Sequence, residues 1–265
     1  MDRLYIMQKE YADADRDPSA LLYKAALSEF CPRHLDRWIT YGEQSWEGMS
    51  EALADEVRVA YANGASAVIP VGTIPFVREF LAAHALARPD APPADPAMTP
   101  LEVPAPLLPY AGREYSIKLG KDIPAWQMNA DEWFFKDAGN LKSWTSALYS
   151  GDISGWLDDE TPYVVSGEID IGSEWRVFVM DDEILSVNWY SGDPARFPDP
   201  GTLHGMVSAY AQAEHPLAYT LDVAVCDGAT LPIEVHPFAA CGLYGFYDPY
   251  IPDMLEKGFG WYLGN

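Results

Sequence analysis

The feature that most restricts the fold is a proline-dense segment near the middle of the chain. Eight of the 22 prolines fall within residues 89–109. Because proline lacks a backbone N–H and fixes its φ angle, neither a helix nor a central strand tolerates this density. Residues 89–112 are therefore predicted to form a linker or an extended strap. The strap separates an N-terminal lobe, residues 1–88, from a larger part, residues 113–265.

The N-terminal part alternates between strand and helix patterns. Residues 4–8 and 67–71 are short apolar segments and predict strands. Residues 50–63 carry apolar side chains at helical spacing, and a second helix is expected from residue 75 to about residue 87. This alternation of strand and helix predicts a small α/β lobe.

The pattern after the strap is that of an α+β unit with a mostly antiparallel sheet. The predicted strands are residues 133–136, 163–165, 175–180, 183–190, 219–225 and 231–235. Asp181-Asp182 and Asp227-Gly228 separate two pairs of these strands, as expected for hairpin turns. Residues 201–214 are predicted to form a helix between the two hairpins.

The charge of the chain excludes several classes of partner. Lys and Arg number 17 against 40 Asp and Glu, which gives a formal charge of −23. That balance argues against binding nucleic acid through a basic face and against binding an anionic membrane surface. The sequence has no apolar run of spanning length and no signal-peptide pattern at its start. Its three cysteines are not at metal-binding or redox spacing, so a reduced, cytoplasmic protein is expected.

Two acidic residues lie within otherwise apolar strands. Asp222 and Glu234 fall on either side of the Asp227-Gly228 turn, so pairing of the two strands would let both carboxylates face one side of the sheet. Burying such a pair is costly unless it is paired or bound to a cation, and Mg²⁺ accepts one or two carboxylates together with phosphates. A solvated sheet face, or carboxylates paired with arginine, is the open alternative.

Two further stretches carry charges that suit a phosphate ligand. Lys136 ends an aromatic strand, and Lys142 follows after a loop that contains glycine. Either lysine can hold phosphate oxygens as a point charge, although surface lysines are common. Residues 168–179 place three acids and Arg176 around one glycine. Acids of this kind accept from ribose hydroxyls, and arginine neutralises a phosphate or carboxylate; an ion-pair cluster is the alternative.

The order and spacing of these segments resemble the ATP-grasp superfamily, in particular one of its short branches. The resemblance covers about residues 113–250, and residues 66–79 are similar to the lobe that precedes the ATP-binding part. The motifs that carry it are Trp133-Phe134-Phe135-Lys136, the Glu-x-x-x-Gly-x-Glu-x-Arg stretch from Glu168 to Arg176, Leu221-Asp222-Val223, Ile233-Glu234-Val235-His236 and the tail from Phe238 to Gly245.

The resemblance implies an architecture and a role for each matching residue. ATP would lie between two α+β lobes, a central lobe at about 113–166 and a C-terminal lobe at about 167–265. The implied roles are phosphate binding by Lys136 and Lys142, adenine recognition by the backbone of Glu168, Ile169, Asp170 and Ile171, ribose binding by Glu174, contact of Arg176 with the γ-phosphate or an acceptor carboxylate, and metal binding by Asp222 and Glu234.

Two departures from the family pattern matter. The family usually has Glu-x-Asn at the second metal strand, whereas this chain has Glu234-Val235-His236. Imidazole suits Mn²⁺-to-Zn²⁺-type metals better than Mg²⁺, so His236 is a candidate for binding either a metal or the substrate. The glycine-rich loop of larger members is not evident between Lys136 and Tyr163.

The function implied by the resemblance is that of an ATP-dependent carboxylate–amine ligase. ATP would phosphorylate a carboxylate, and an amine or related nucleophile would displace phosphate from the acyl phosphate. Lys136 and Arg176 would be the catalytic residues, with Mg²⁺ as the metal and Mn²⁺ as an alternative. The expected substrates are a small-molecule or peptide carboxylate and an amine-type nucleophile. Alternatives are a phosphotransferase, a weak or inactive nucleotide-binding module, and an interaction domain; the oligomeric state stays open.

Overall fold

Three β-sheets, each from a different part of the chain, form the framework of the described structure. The computed structural model describes residues 3–13, 17–34, 36–42, 49–95 and 97–264, so Pro96 of the predicted strap lies outside the described residues. Within this part, none of the helices has the length and apolar character needed to cross a membrane. The mixture of helices with parallel and antiparallel sheets confirms the α+β class.

The N-terminal lobe contains a parallel sheet in the order β2-β1-β3. Its elements are β1 (Arg3–Gln8), α1 (Lys9–Ala12), α2 (Pro18–Phe30), β2 (Arg37–Tyr41), α3 (Met49–Ala62), β3 (Ala67–Val71) and α4 (Ile74–Ala87). The predicted alternation of strand and helix is confirmed. The sequence analysis missed α2, although Asp17 caps it by accepting from the backbone N–H of Ala20 at 2.9 Å and proline opens it.

The proline-dense segment is attached to the C-terminal sheet. Against the prediction that no helix forms there, Ala105–Tyr110 is a 3₁₀-helix, and its Leu107 is fully buried. A 3₁₀-helix of this length accommodates proline because few backbone donors are needed. The backbone carbonyl of Glu102 accepts a hydrogen bond from the N–H of Val235 at 2.8 Å. The segment is therefore an attached strap.

The central lobe has an antiparallel sheet in the order β4-β6-β5. Its strands are β4 (Tyr115–Leu119), β5 (Trp133–Asp137) and β6 (Pro162–Gly167), of which β4 was not predicted. Short 3₁₀-helices at Gly120–Asp122, Ala125–Gln127, Ser146–Leu148 and Ser154–Trp156 connect them. This lobe has a small core of its own around Phe135 and Val165.

The C-terminal lobe contains a four-stranded antiparallel sheet in the order β10-β9-β7-β8. Its elements are β7 (Ser173–Met180), β8 (Glu183–Gly192), α5 (Pro200–Tyr210), β9 (Ala218–Cys226), β10 (Ala229–Pro237) and α6 (Ile251–Tyr262). Both predicted hairpins are confirmed. Their turns, Asp181-Asp182 and Asp227-Gly228, have positive φ angles at both central residues, as a tight type I′ turn requires. Helix α5 ends four residues earlier than predicted.

Helix α6 was not predicted, and its packing explains why. Gly258 and Gly260 lower its helix propensity. A Cβ atom at Gly258 would lie 2.5 Å from the backbone of Phe238, so the close approach of α6 to the end of β10 requires glycine there. The helix contributes Met254, Leu255 and Phe259 to the largest core, which it shares with the N-terminal lobe.

Candidate functional site

A row of charged side chains crosses the C-terminal sheet. In the strand register, Arg176 of β7 lies opposite Asp222 of β9, and Asp222 lies opposite Glu234 of β10. Cross-strand partners project from the same face of an antiparallel sheet, so the predicted placement of the two carboxylates on one face is confirmed. The strand ladder shifts between Pro232 and Glu234, which marks a bulge next to the site.

Asp222 is held by Arg176 in a buried, two-pronged ion pair. Nε of Arg176 donates to Oδ1 at 2.8 Å, and Nη2 donates to Oδ2 at 2.7 Å. Asp222 is 3 % exposed and Arg176 is 7 % exposed. Burial alone would lower the pKa of Arg176, but its hydrogen bonds to Asp222 raise it overall, so the guanidinium stays charged. The third contact of Arg176 is a hydrogen bond from Nη1 to the carbonyl of Gly242 at 2.9 Å.

Glu234 has different partners, which reach it from the opposite lobe and from its own strand. Nζ of Lys136, on β5, donates to Glu234, and Nε2 of His236 lies 2.7 Å from the other carboxylate oxygen. Burial acts to raise the pKa of Glu234, but the charges of His236 and Lys136 hold it well below its usual range. Glu234 is therefore ionised.

Lys136 lies between two carboxylates. Besides Glu234, its Nζ donates to Oε2 of Glu102 at 3.0 Å. Burial acts to lower the pKa of Lys136, yet Glu234 and Glu102 outweigh it and the pKa is raised. The ammonium is thus held charged at the boundary between the central and C-terminal sheets.

A cavity of about 220 Å³ opens beside this lysine, between those two sheets. Six residues that the sequence singled out line it: Lys136, Glu168, Ile169, Ile171, Glu174 and Glu234. Ile169, Ile171, Val164 and Phe134 give it apolar walls. A mostly apolar cleft with a few convergent polar groups is the usual form of a cofactor site. Asp170 and Lys142 are absent from the lining.

Glu174 is oriented by an aromatic pair. The hydroxyl of Tyr190 donates to its Oε2 at 3.0 Å, and the ring of Tyr190 stacks on Tyr244 with centroids 4.8 Å apart. The guanidinium of Arg176 lies 5.0 Å from the Tyr244 ring centroid. Burial raises the pKa of Tyr190, so its hydroxyl remains a donor. These contacts connect the predicted ribose ligand with the Arg176–Asp222 pair.

Lys142 faces two neighbouring cavities. One, of about 460 Å³, is also lined by Lys136, Glu234 and His236. The other, of similar volume, brings Lys142 together with Arg78 of the N-terminal lobe and with Gly242. Lys142 is exposed and has φ of 55° in the loop after β5. The structure therefore places this lysine between the phosphate-facing groups and the N-terminal lobe.

Sequence reasoning missed two charged residues of the first cavity. Glu102 lies in the strap, where nothing in the proline pattern indicated a site. Arg113 precedes β4; its Nε donates to Oγ of Ser166 at 2.8 Å, and Nη2 donates to the carbonyl of Pro232 at 3.1 Å. Burial lowers the pKa of Arg113. Its place at the start of the second part of the chain was the only available signal.

The donor set of the site suits a hard cation at Glu234. In the described part of the chain, no three His, Cys, Asp or Glu side chains lie close enough together to form a complete metal site. Glu234 and Glu102, however, already share one cation, the ammonium of Lys136, and one oxygen of Glu102 is buried without a hydrogen-bond donor. One or two carboxylates completed by phosphate oxygens are what Mg²⁺ usually accepts.

Comparisons with known proteins agree with this geometry. Residues 110–251 match the model of an ATP-grasp domain family, which is the second family of its clade. No curated protein matches the chain significantly.

Three solved structures are similar over nearly the whole chain. D-alanine–D-alanine ligase from Bacillus anthracis has a TM-score of 0.56 at 10 % identity, covering 99 % of both chains. D-cycloserine synthetase has a TM-score of 0.55 at 10 % identity, covering 98 % of this chain and 99 % of its own. N5-carboxyaminoimidazole synthetase from Staphylococcus aureus, complexed with ADP, has a TM-score of 0.57 at 13 % identity, covering 97 % and 77 %. At these identities the likeness concerns the fold.

Proposed function

The chain belongs to this family of ATP-grasp domains, and from that premise we propose that it is an ATP-dependent ligase joining a carboxylate to an amine or related nucleophile. One observation carries the proposal. The cavity between the central and C-terminal sheets collects six of the residues matched to nucleotide and metal binding, and the charged Lys136 lies at its edge. Structures with this fold include ligases, and one of them holds ADP.

The nucleotide would occupy this cavity with its base between apolar walls. Ile169 and Ile171 would contact adenine, while Glu174, fixed by Tyr190, would accept hydrogen bonds from ribose hydroxyls. Lys136 would direct its ammonium to phosphate oxygens. In a chain of net charge −23, an anionic nucleotide needs such locally concentrated cations.

Glu234 would hold the divalent cation, and Asp222 is the second candidate ligand. Mg²⁺, with Mn²⁺ as an alternative, would supply neutralisation of the phosphate charge. Asp222 would have to exchange its pairing with Arg176 to reach a metal, whereas Glu234 has only to release Lys136 and His236. His236 stays a candidate for metal or substrate contact.

The chemistry would need no protein nucleophile. A carboxylate oxygen of the substrate attacks the γ-phosphorus, the bond to the leaving ADP oxygen breaks, and an acyl phosphate forms. The amine then attacks the acyl carbon and releases phosphate. Lys136 and Arg176 would align these groups and offset their negative charge. Burial raises the pKa of Cys241, the thiol closest to this region, so it is a poor nucleophile.

A nucleotide-binding module without turnover is the second candidate. The observation that favours it is the buried Arg176–Asp222 pair, which occupies both a matched metal ligand and the matched acceptor-binding arginine. Measurement of ADP release with a panel of carboxylates and amines separates the two candidates. If phosphate stays on the carboxylate and no second nucleophile is needed, the chain is a phosphotransferase.

Calorimetric titration with a non-hydrolysable ATP analogue, with and without Mg²⁺, tests the proposed site. The wild type should bind in a metal-dependent manner, and Glu234→Gln should lose that dependence while keeping its fold. Glu160→Gln is the matched control, because it removes a carboxylate that pairs with Lys121 on the exposed surface of the central lobe. Metal-dependent binding by a folded Glu234→Gln protein would rule out the metal assignment, and no binding by the wild type would rule out the function.

A further inference from the structure

One carboxylate of the site comes from outside both sheets. Glu102 lies in the strap, is 2 % exposed and lines the proposed nucleotide cavity. Both of its carboxylate oxygens lie 3.0 Å from Nζ of Lys136, but only Oε2 accepts a hydrogen bond, so Oε1 is buried without a donor. Burying a carboxylate is costly unless a cation compensates it. Lys136 is the cation that does so here.

The backbone of Glu102 is held in place at the same point. Its φ angle is 54°, a left-handed conformation that is uncommon for a residue with a side chain. Its carbonyl accepts the hydrogen bond from Val235, which lies between Glu234 and His236 on β10. Such conformations persist when the surroundings enforce them, and they concentrate at functional sites.

Glu102 and Glu234 share Lys136 unequally. Glu234 also contacts His236 and is the proposed metal ligand, so it has to give up Lys136 when a metal arrives. The ion-pair contact of Glu102 is to Lys136. An ammonium group has three donors, and two of them are taken by these carboxylates, which leaves one for a ligand.

We propose that Glu102 is a positioning residue for Lys136: it retains the ammonium in the cleft when Glu234 turns to a metal, so that Lys136 meets the nucleotide phosphates. This inference rests on the proposed nucleotide-binding function. Without Glu102, Lys136 would pair with Glu234 alone and compete with the metal for it. The strap between the lobes thereby contributes to nucleotide affinity.

A double-mutant cycle tests this role. Binding of a non-hydrolysable ATP analogue with Mg²⁺ is measured by calorimetry for the wild type, Glu102→Gln, Lys136→Gln and the double variant. Glutamine keeps the size and backbone contact of Glu102 and removes its charge. Glu102→Gln should bind about tenfold more weakly, and this loss should disappear when Lys136 is already Gln. Glu160→Gln, which breaks an exposed lysine pair, should bind as the wild type does.

The outcomes separate this inference from the function it rests on. Wild-type-like or tighter binding by Glu102→Gln, in a protein whose Glu234→Gln variant loses metal-dependent binding, overturns the inference alone. Losses that add in the double variant indicate a merely structural role and overturn it too. Absence of binding by the wild type overturns both proposals. If Glu102→Gln does not fold, Glu102→Asp replaces it: a severalfold loss that depends on Lys136 supports the role, and unchanged binding overturns it.

Discussion

At the residue scale, the two matched metal ligands differ in what their charge does for the fold. Asp222 exchanges two hydrogen bonds with a guanidinium that is almost completely buried. Glu234 keeps 21 % of its side chain exposed and has two cationic neighbours. Removing one charge from a buried pair leaves the other without compensation, so the same type of substitution should have different consequences at the two positions.

We expect Asp222→Asn to lower the free energy of unfolding by roughly 3–5 kcal/mol, because Arg176 would stay buried beside a neutral partner. Urea unfolding followed by tryptophan fluorescence measures this change. Asp182→Asn is the matched control, since it breaks an exposed contact with His215 and should cost no more than about 1 kcal/mol. A loss for Asp222→Asn as small as that of the control would show that the pair is unimportant for stability.

How far the sequence predicts the site depends on where each residue lies. Lys136, Glu174 and Glu234 lie in or beside strands whose periodicity is clear, so their grouping could be anticipated. Glu102 could not be found in this way, because its position depends on a left-handed backbone conformation and on one hydrogen bond to β10. Asp170 is exposed and lies outside the cavity lining, although the resemblance assigned it with its neighbours.

At the element scale, turn chemistry was a better guide than helix propensity. The Asp-Asp and Asp-Gly turns indicated both hairpins, and their strands pair as predicted. Helix α6 escaped prediction because its glycines serve close packing against Phe238, which is a tertiary requirement. Strand β2 is half exposed, so its burial alternation gave no clear strand period.

Helix α4 carries a buried histidine that should make stability pH-dependent. Burial and the nearby charge of Arg88 lower the pKa of His84 to about 4, and its Nε2 lies 3.2 Å from the hydroxyl of Tyr61. In the unfolded chain a histidine titrates near 6.5, so below that pH the unfolded state takes up a proton that the folded state excludes. Stability from this group is therefore complete above pH 6.5 and is lost as the pH falls towards 4.

We expect the unfolding free energy of the wild type to fall, relative to that of His84→Gln, between pH 6.5 and pH 4. The relative loss is at most roughly 3 kcal/mol, and partial solvent screening reduces it. Urea unfolding at a series of pH values gives the difference between the two proteins. His204→Gln, at an exposed position of α5, is the control and should run parallel to the wild type. A constant difference for His84→Gln would contradict the depressed pKa.

At the scale of the whole molecule, the N-terminal and C-terminal lobes are joined by one core. The largest cluster of buried apolar residues includes β1, β3 and α4 together with Phe178, Phe238 and most of α6. Arg3 of β1 also pairs with Asp253 and Glu256 of α6. The central lobe, by contrast, has its own small core. Closure over a ligand would therefore move the central lobe more readily than the N-terminal lobe.

Phe259→Ala tests this coupling. Phe259 is 2 % exposed, and its ring meets Phe80 of α4 edge to face at 5.6 Å, so truncation should cost about 3–5 kcal/mol. Because the core is shared, hydrogen exchange should speed up in β1, β3 and α4 as well as in α6, while β5 and β6 change less. Leu86→Ala, at a half-exposed position of α4, should leave exchange nearly unchanged. Faster exchange confined to α6 would mean that the N-terminal lobe is stable without it.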